Sequence, residues 1–263
     1  MTATRNGAPR LPSFSLAGRL AVVTGASEGI GRALALAFAH AGARLALVSR
    51  APERLAELVA AIDAAGAEAL AYQADVCVRA DVQRLAEAVT LRQGVASILV
   101  NAAGAPLTKP AFDVTEEEWD LVITTGLKSM FFTCVAFGRS MAERRYGKII
   151  NLASTYSESV APGKSVYAIA KAGVAQLTRA LAVEWAPLGL RVNALAPTLT
   201  ATPTRQSVLA DEERVRPIVA RIPLGRYAEP SDLEGAGIFL ASEASDFVTG
   251  QVLFVDGGWH AAR

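Results

Sequence analysis

Leu20-Ala21-Val22-Val23-Thr24-Gly25-Ala26-Ser27-Glu28-Gly29-Ile30-Gly31 is the stretch that decides the fold. Residues 20–24 form an apolar run without polar alternation, the pattern of a strand covered on both faces. A cluster of glycines follows, and then an Ala/Leu-rich helix over residues 32–40, closed by Gly42. Glycine there lets the backbone turn tightly and approach a pyrophosphate. The helix that follows offers unpaired N–H groups to the anion. Glycines alone also serve ordinary tight turns. The position between a strand and a helix is what gives this cluster its phosphate-binding meaning.

Working outward, the same order repeats. Strands are expected at 45–49, 70–74, 98–101, 148–152, 192–196 and 252–255, each a short apolar run. Helices are expected at 52–65, with Pro52 at the first turn, and at 81–91, 166–186 and 232–240. Thr115-Glu116-Glu117-Glu118 is a capping box that opens a long helix running to about Arg145. Strand-helix alternation of this kind predicts an α/β Rossmann-type fold, a doubly wound parallel sheet of about seven strands with helices on both faces. Residues 15–263 read as one dinucleotide-binding and catalytic domain after a flexible tail at 1–14. Residues 197–226 lack clear periodicity, which suggests a lid or substrate loop.

Composition narrows the function. The 263 residues are 52% hydrophobic and 19% charged, with a net charge of +1. That supports a large core and gives no general pull toward nucleic acid. Cys77 and Cys134 are far apart, and His40 and His260 are the only histidines, so neither a disulfide scaffold nor a metal site is expected. No apolar run reaches a membrane span, and residues 1–14 lack the apolar stretch of a secretory signal. The cytoplasm is the default expectation.

The glycine spacing is G-x-x-x-G-x-G led by Thr24, which resembles the short-chain dehydrogenase/reductase family. Other motifs match in order: Asp75-Val76 after strand three, Asn101-Ala102-Ala103-Gly104, Ser154 placed 13 residues before Tyr167, Tyr167-x-x-x-Lys171, Pro197 and Asp256-Gly257-Gly258. The resemblance spans about residues 15–260. It implies an enzyme that passes hydride between a nicotinamide cofactor and a ketone or secondary alcohol. Ser154, Tyr167 and Lys171 would be catalytic. The cofactor contacts implied are Gly25, Ser27, Glu28, Gly29, Ile30, Gly31, Ser49, Arg50, Asp75, Val76, Asn101, Gly104, Tyr167, Lys171, Pro197, Thr200 and Thr202. A homotetramer is the family's usual assembly.

Physical chemistry supports the central pair. A spacing of four puts Tyr167 and Lys171 on one helix face. A free phenol titrates near 10, too high for a base at neutrality, and a neighbouring Lys⁺ is expected to lower it. Ser154, at a strand end, could bond the substrate oxygen.

The chain also departs from the family. Its Asn in the long helix, a fourth catalytic residue, is here Gly126 in Trp119-Asp120-Leu121-Val122-Ile123-Thr124-Thr125-Gly126-Leu127. Glycine keeps the backbone carbonyl that holds the relay water and tolerates a kink, but loses the side-chain clamp. Thr198 replaces a glycine after Pro197, and Ala102 replaces the second Asn of N-N-A-G.

Cofactor choice rests on Ser49-Arg50, where an acid would select NAD. A neutral residue and then a basic one favour the 2′-phosphate of NADP(H), while Glu28 in the glycine loop runs against it. The leading expectation is an NADP(H)-dependent carbonyl reductase or alcohol dehydrogenase with a small-molecule substrate. Its pocket would draw on 105–111, 155–162 and 198–226. A 3-oxoacyl-thioester reductase is an alternative, weakened because only Arg145 of two carrier-docking positions is basic; the other is Leu188. A non-catalytic dinucleotide sensor and an imine reductase are the other readings.

Overall fold

Seven parallel strands lie in the order β3-β2-β1-β4-β5-β6-β7 in the computed structural model, which describes residues 12–262. They are β1 Leu20–Thr24, β2 Arg44–Ser49, β3 Ala69–Gln73, β4 Ile98–Asn101, β5 Gly147–Leu152, β6 Leu190–Pro197 and β7 Val252–Val255. The order reverses between β1 and β4. In such sheets the crevice beyond the strand ends at that reversal receives the ligand. Thr24 pairs with Val48 on one side and Asn101 on the other, so the ends of β1, β2 and β4 lie level.

Two apolar layers clamp the sheet. One face packs on α1 (Gly29–His40), α2 (Ala56–Ala64) and α9 (Glu234–Ala241) through Leu34, Phe38, Leu58, Ile62 and Leu240. The other packs on α3 (Arg79–Gln93), α5 (Ser129–Glu143) and α6 (Ser165–Trp185) through Leu85, Val89, Phe137, Met141 and Leu181. Phe38 is fully buried; truncating such a ring to alanine costs about 3–5 kcal/mol.

Three stretches differ from the sequence reading. The expected helix 52–65 starts as a 3₁₀ turn, Pro52–Leu55, before α2. The long helix after the Thr115 capping box is broken: α4 (Glu116–Ile123) passes through a π-turn at Thr124–Lys128 before α5. The loop at 198–226 contains a 3₁₀ turn, Pro203–Arg205, and the short helices α7 (Gln206–Leu209) and α8 (Glu212–Val219). Periodicity over so few residues is hard to recognise, and Pro217 inside α8 masks it further. Asp211 caps the start of α8, its carboxylate accepting a hydrogen bond from the Arg214 amide.

Residues 1–11 of the expected tail lie outside the described residues. Ser13 accepts a bond from the Ala244 amide, and Phe14 packs against Phe239, so the described part of that segment is tied to the body. The run Glu116–Glu143 is the one candidate among the described residues that is long and apolar enough to cross a membrane. Its buried residues Met130, Cys134, Phe137 and Met141 belong to the core, which accounts for that apolarity.

Candidate active site

The glycine loop is built by close approach. Thr24 Oγ1 donates to the Val100 carbonyl and accepts from the Ala102 amide, which stitches the ends of β1 and β4 together. Gly25 has φ +66°, and a Cβ there would stand 2.9 Å from the Ala103 nitrogen. A Cβ at Gly31 would sit 2.2 Å from the Gly25 carbonyl oxygen. Only glycine allows α1 to start this close to the loop. Glu28, the N-cap of α1, makes no side-chain capping bond. The first-turn N–H groups therefore depend on a ligand or solvent, as a dinucleotide pyrophosphate site requires.

This loop forms one end of a cleft of about 970 Å³, near the upper limit for small-molecule sites. Beside it, Ser49 and Arg50 line the wall at the end of β2. Arg54, which the sequence reading missed, joins them and lies 3.9 Å from the Glu28 carboxylate. That neighbour offsets the charge of Glu28, the feature that weighed against a phosphate. Arg50 is in no ion pair among the described residues. Asp75 and Val76 line the wall beyond β3, where the Asp75 carboxylate accepts from the Cys77 amide at 2.9 Å. The glycine cradle, the open helix start and the unpaired guanidinium fit a phosphorylated dinucleotide.

The reactive groups converge at the other end. Ser154, Tyr167 and Lys171 all line the cleft. Ser154 is buried; its Oγ accepts from the Tyr156 amide at 3.2 Å, which leaves its own O–H free to donate. Lys171 is buried, and its Nζ donates to the Leu152 carbonyl at 2.6 Å. Burial raises the Tyr167 phenol above its usual value; the Arg205 charge and hydrogen bonding from Ser154 and Arg205 work against that rise. The Lys171 ammonium stands 5.8 Å and the Arg205 guanidinium 5.9 Å from the ring centroid, so both cations lie beside the phenol. Lys171 itself is pushed down to about 8, by burial first and then by Arg205.

Gly104, Pro197, Thr200 and Thr202 line the cleft as expected, with Ser27, Gly29 and Ile30. Two expected residues do not line it. Asn101 is buried inside, where Nδ2 donates to Asn151 Oδ1 at 2.9 Å and lies 3.2 Å from Cys134 Sγ. It joins β4 to β5 behind the site, so it is not a wall residue. Gly126 sits in the π-turn, buried behind the Tyr-Lys helix, and a Cβ there would stand 3.7 Å from the Ala170 Cβ. It has no side chain to offer, so any effect on the site passes through its backbone.

Tyr156 and Arg205 line the cleft from the expected stretches 155–162 and 198–226, while the sequence reading missed Lys164 and Trp259 as wall residues. Lys164 stands one helical turn before Tyr167, a spacing that was readable. Arg205 lies 38 residues further along, in a segment without periodicity.

A nicotinamide-type cradle beside a Ser-Tyr-Lys cluster defines a dinucleotide-dependent oxidoreductase. A family model described as Enoyl-(Acyl carrier protein) reductase matches residues 25–260. Gluconate 5-dehydrogenase of Gluconobacter oxydans (strain 621H) is 39% identical over 93% of this chain and 96% of its own length. Galactitol 2-dehydrogenase (L-tagatose-forming) of Cereibacter sphaeroides is 40% identical over 94% of this chain and 96% of its own. The structure of a gluconate 5-dehydrogenase from Burkholderia cenocepacia J2315 in complex with NADP and tartrate superposes with a TM-score of 0.92. It shares 37% identity over 95% of this chain and 98% of that one. The chain belongs to the short-chain dehydrogenase/reductase family.

Proposed function

We propose that the protein is an NADP(H)-dependent oxidoreductase that interconverts a ketone and a secondary alcohol on a free small molecule. The observation that carries this reading is one cleft with the glycine cradle at one end and Ser154, Tyr167 and Lys171 at the other. Ser49, Arg50 and Arg54 would hold the 2′-phosphate, and the Gly25–Gly31 loop with the α1 start would hold the pyrophosphate. Bound NADPH supplies the hydride. Tyr167 donates its proton to the developing alkoxide oxygen, and the Ser154 hydroxyl orients that oxygen. Lys171, held by the Leu152 carbonyl, orients the cofactor side of the site and passes a proton toward Tyr167. The π-turn supports a relay through the backbone around Gly126, since such a turn disturbs the i→i+4 pattern and frees a carbonyl.

The other readings have less support. Arg145 donates to the Pro187 carbonyl at 2.9 Å, which engages the one basic carrier-docking position. Only the missing Asn favours a sensor. The same site would serve an imine. Residues 15–263 acting as one catalytic unit, a homotetramer and a cytoplasmic location complete the reading. Exposed Leu121, Phe131, Ile169 and Val183 on α4, α5 and α6, with the open edge of β7, support self-association.

The test is NADPH oxidation with a panel of small ketones, imines and carbonyl acids, run beside equilibrium NADPH binding. Turnover of a ketone with formation of the alcohol is the expected result. Tight cofactor binding without turnover of any member would overturn the enzyme reading in favour of a sensor.

A further inference from the structure

The substrate end of the cleft carries charge of one sign. The three acids on its walls, Glu28, Glu53 and Asp75, all belong to the cofactor end. Around Tyr167 stand three cations. Lys171 Nζ, Arg205 Cζ and Lys164 Nζ lie 5.8, 5.9 and 6.0 Å from its ring centroid. Lys171 is accounted for by the reaction. Lys164 is not, and Arg205 reaches the phenol without a counter-ion of its own.

Neither is in an ion pair among the described residues. Lys164 is held only by neutral acceptors, Thr108 Oγ1 and the Leu107 carbonyl. They reach the cleft from different segments, Lys164 at the start of α6 and Arg205 from the 3₁₀ turn Pro203–Arg205. Half-buried cations without counter-ions are costly unless a ligand supplies the charge. Burial, and then the nearby Arg205 charge, push Lys164 down to about 8.

Resting on the redox reading of this site, we propose that Lys164 and Arg205 form an anion subsite that takes the carboxylate of the substrate. The substrate is then an oxo acid, and the product the matching hydroxy acid. Both cations stand beside the proton-donating ring, so the carboxylate lies only a few bonds from the reacting carbon. The subsite separates this chain from a catalyst for neutral polyols.

The test is calorimetric binding to the NADP⁺-loaded protein, with D-gluconate, the neutral six-carbon polyol D-sorbitol, and sorbitol 6-phosphate as probes. A charge-assisted pair predicts at least about tenfold tighter binding of the acid than of the polyol. Arg205→Gln and Lys164→Gln should each cut that acid-to-polyol ratio by about tenfold, and Arg205→Lys should restore part of it. Equal binding of acid and polyol, or a ratio unchanged in both Gln variants, would overturn the proposal. Binding of the phosphate ester alone would overturn the carboxylate assignment. Because the readout is binding, it stands apart from turnover: an acid preference in a protein that reduces no carbonyl supports the subsite while refuting the redox reading. Turnover of neutral ketones without an acid preference does the reverse.

Discussion

The two ends of the cleft are built from different materials. The cofactor end is backbone: glycines pressed against Ala103 and Gly25, the start of α1, and strand ends fixed by the β1–β2 and β1–β4 registers. Its side-chain charges are mixed, as in Arg54 beside Glu28. The substrate end is side chain: Ser154, Tyr167 and three cations, walled partly by short lid helices. A pyrophosphate is recognised by N–H groups that any residue could offer, so its site is written in glycine positions. A substrate is recognised by the few side chains that reach it, and these sit on segments free to vary.

The strongest way to break this contrast is to remove the proposed proton donor. Tyr167→Phe should lower turnover by at least about 100-fold and leave NADPH binding nearly intact, since the cradle lies elsewhere. Single-turnover kinetics beside fluorescence titration would separate the two. Near-normal turnover in a folded variant would dissolve the distinction between the ends. A smaller effect is expected at the cofactor end. NADP(H) should be preferred over NAD(H) by at least about tenfold in kcat/KM, and Ser49→Asp should invert the order by repelling the phosphate. Equal efficiency of the wild type with both cofactors would mean that Arg50 and Arg54 face solvent only.

The uncompensated charge has its own signature. Lys164 and Lys171 are pushed down to about 8 from the usual 10.5. Between these values the unfolded chain holds more protons than the folded one, so stability rises with pH through that window. Tyr167 and Tyr156 are shifted upward and oppose this only above the normal tyrosine value of 10.0. The Tm of the ligand-free protein should therefore climb from about pH 8 to about pH 9, above which Cys77 and Cys134, raised by burial from 9.0, begin to oppose the rise. A Tm that falls across this interval would show that the cations are already compensated. The smallest effect is expected behind the site. Gly126→Asn should keep turnover within a few-fold of wild type or raise it. The first added atom meets Ala170 at ordinary contact distance, and the side chain could restore a clamp on the relay. Loss of most activity in a correctly folded variant would mean that the π-turn is tuned to glycine.

Local signals carried most of what the sequence revealed. Apolar runs of four or five residues pointed to the strands, and Thr115 with Glu118 marked the start of α4. Other features were hidden because they are contacts between distant segments. Asn101 sits in a motif that points to the cofactor, yet its amide bonds to Asn151, 50 residues away. Arg54 is one turn beyond Arg50, but only the packing of its helix brings it near Glu28.

The sequence by itself determined the parallel sheet, the glycine cradle and the Ser154, Tyr167 and Lys171 set, because each depends on spacing along a strand, turn or helix. Tertiary structure alone decided that Arg205 and Lys164 join Lys171 beside the phenol ring, and that Asn101 braces the sheet. Coulomb forces and hydrogen bonds depend on distances through space, and those distances exist only once distant segments have packed together.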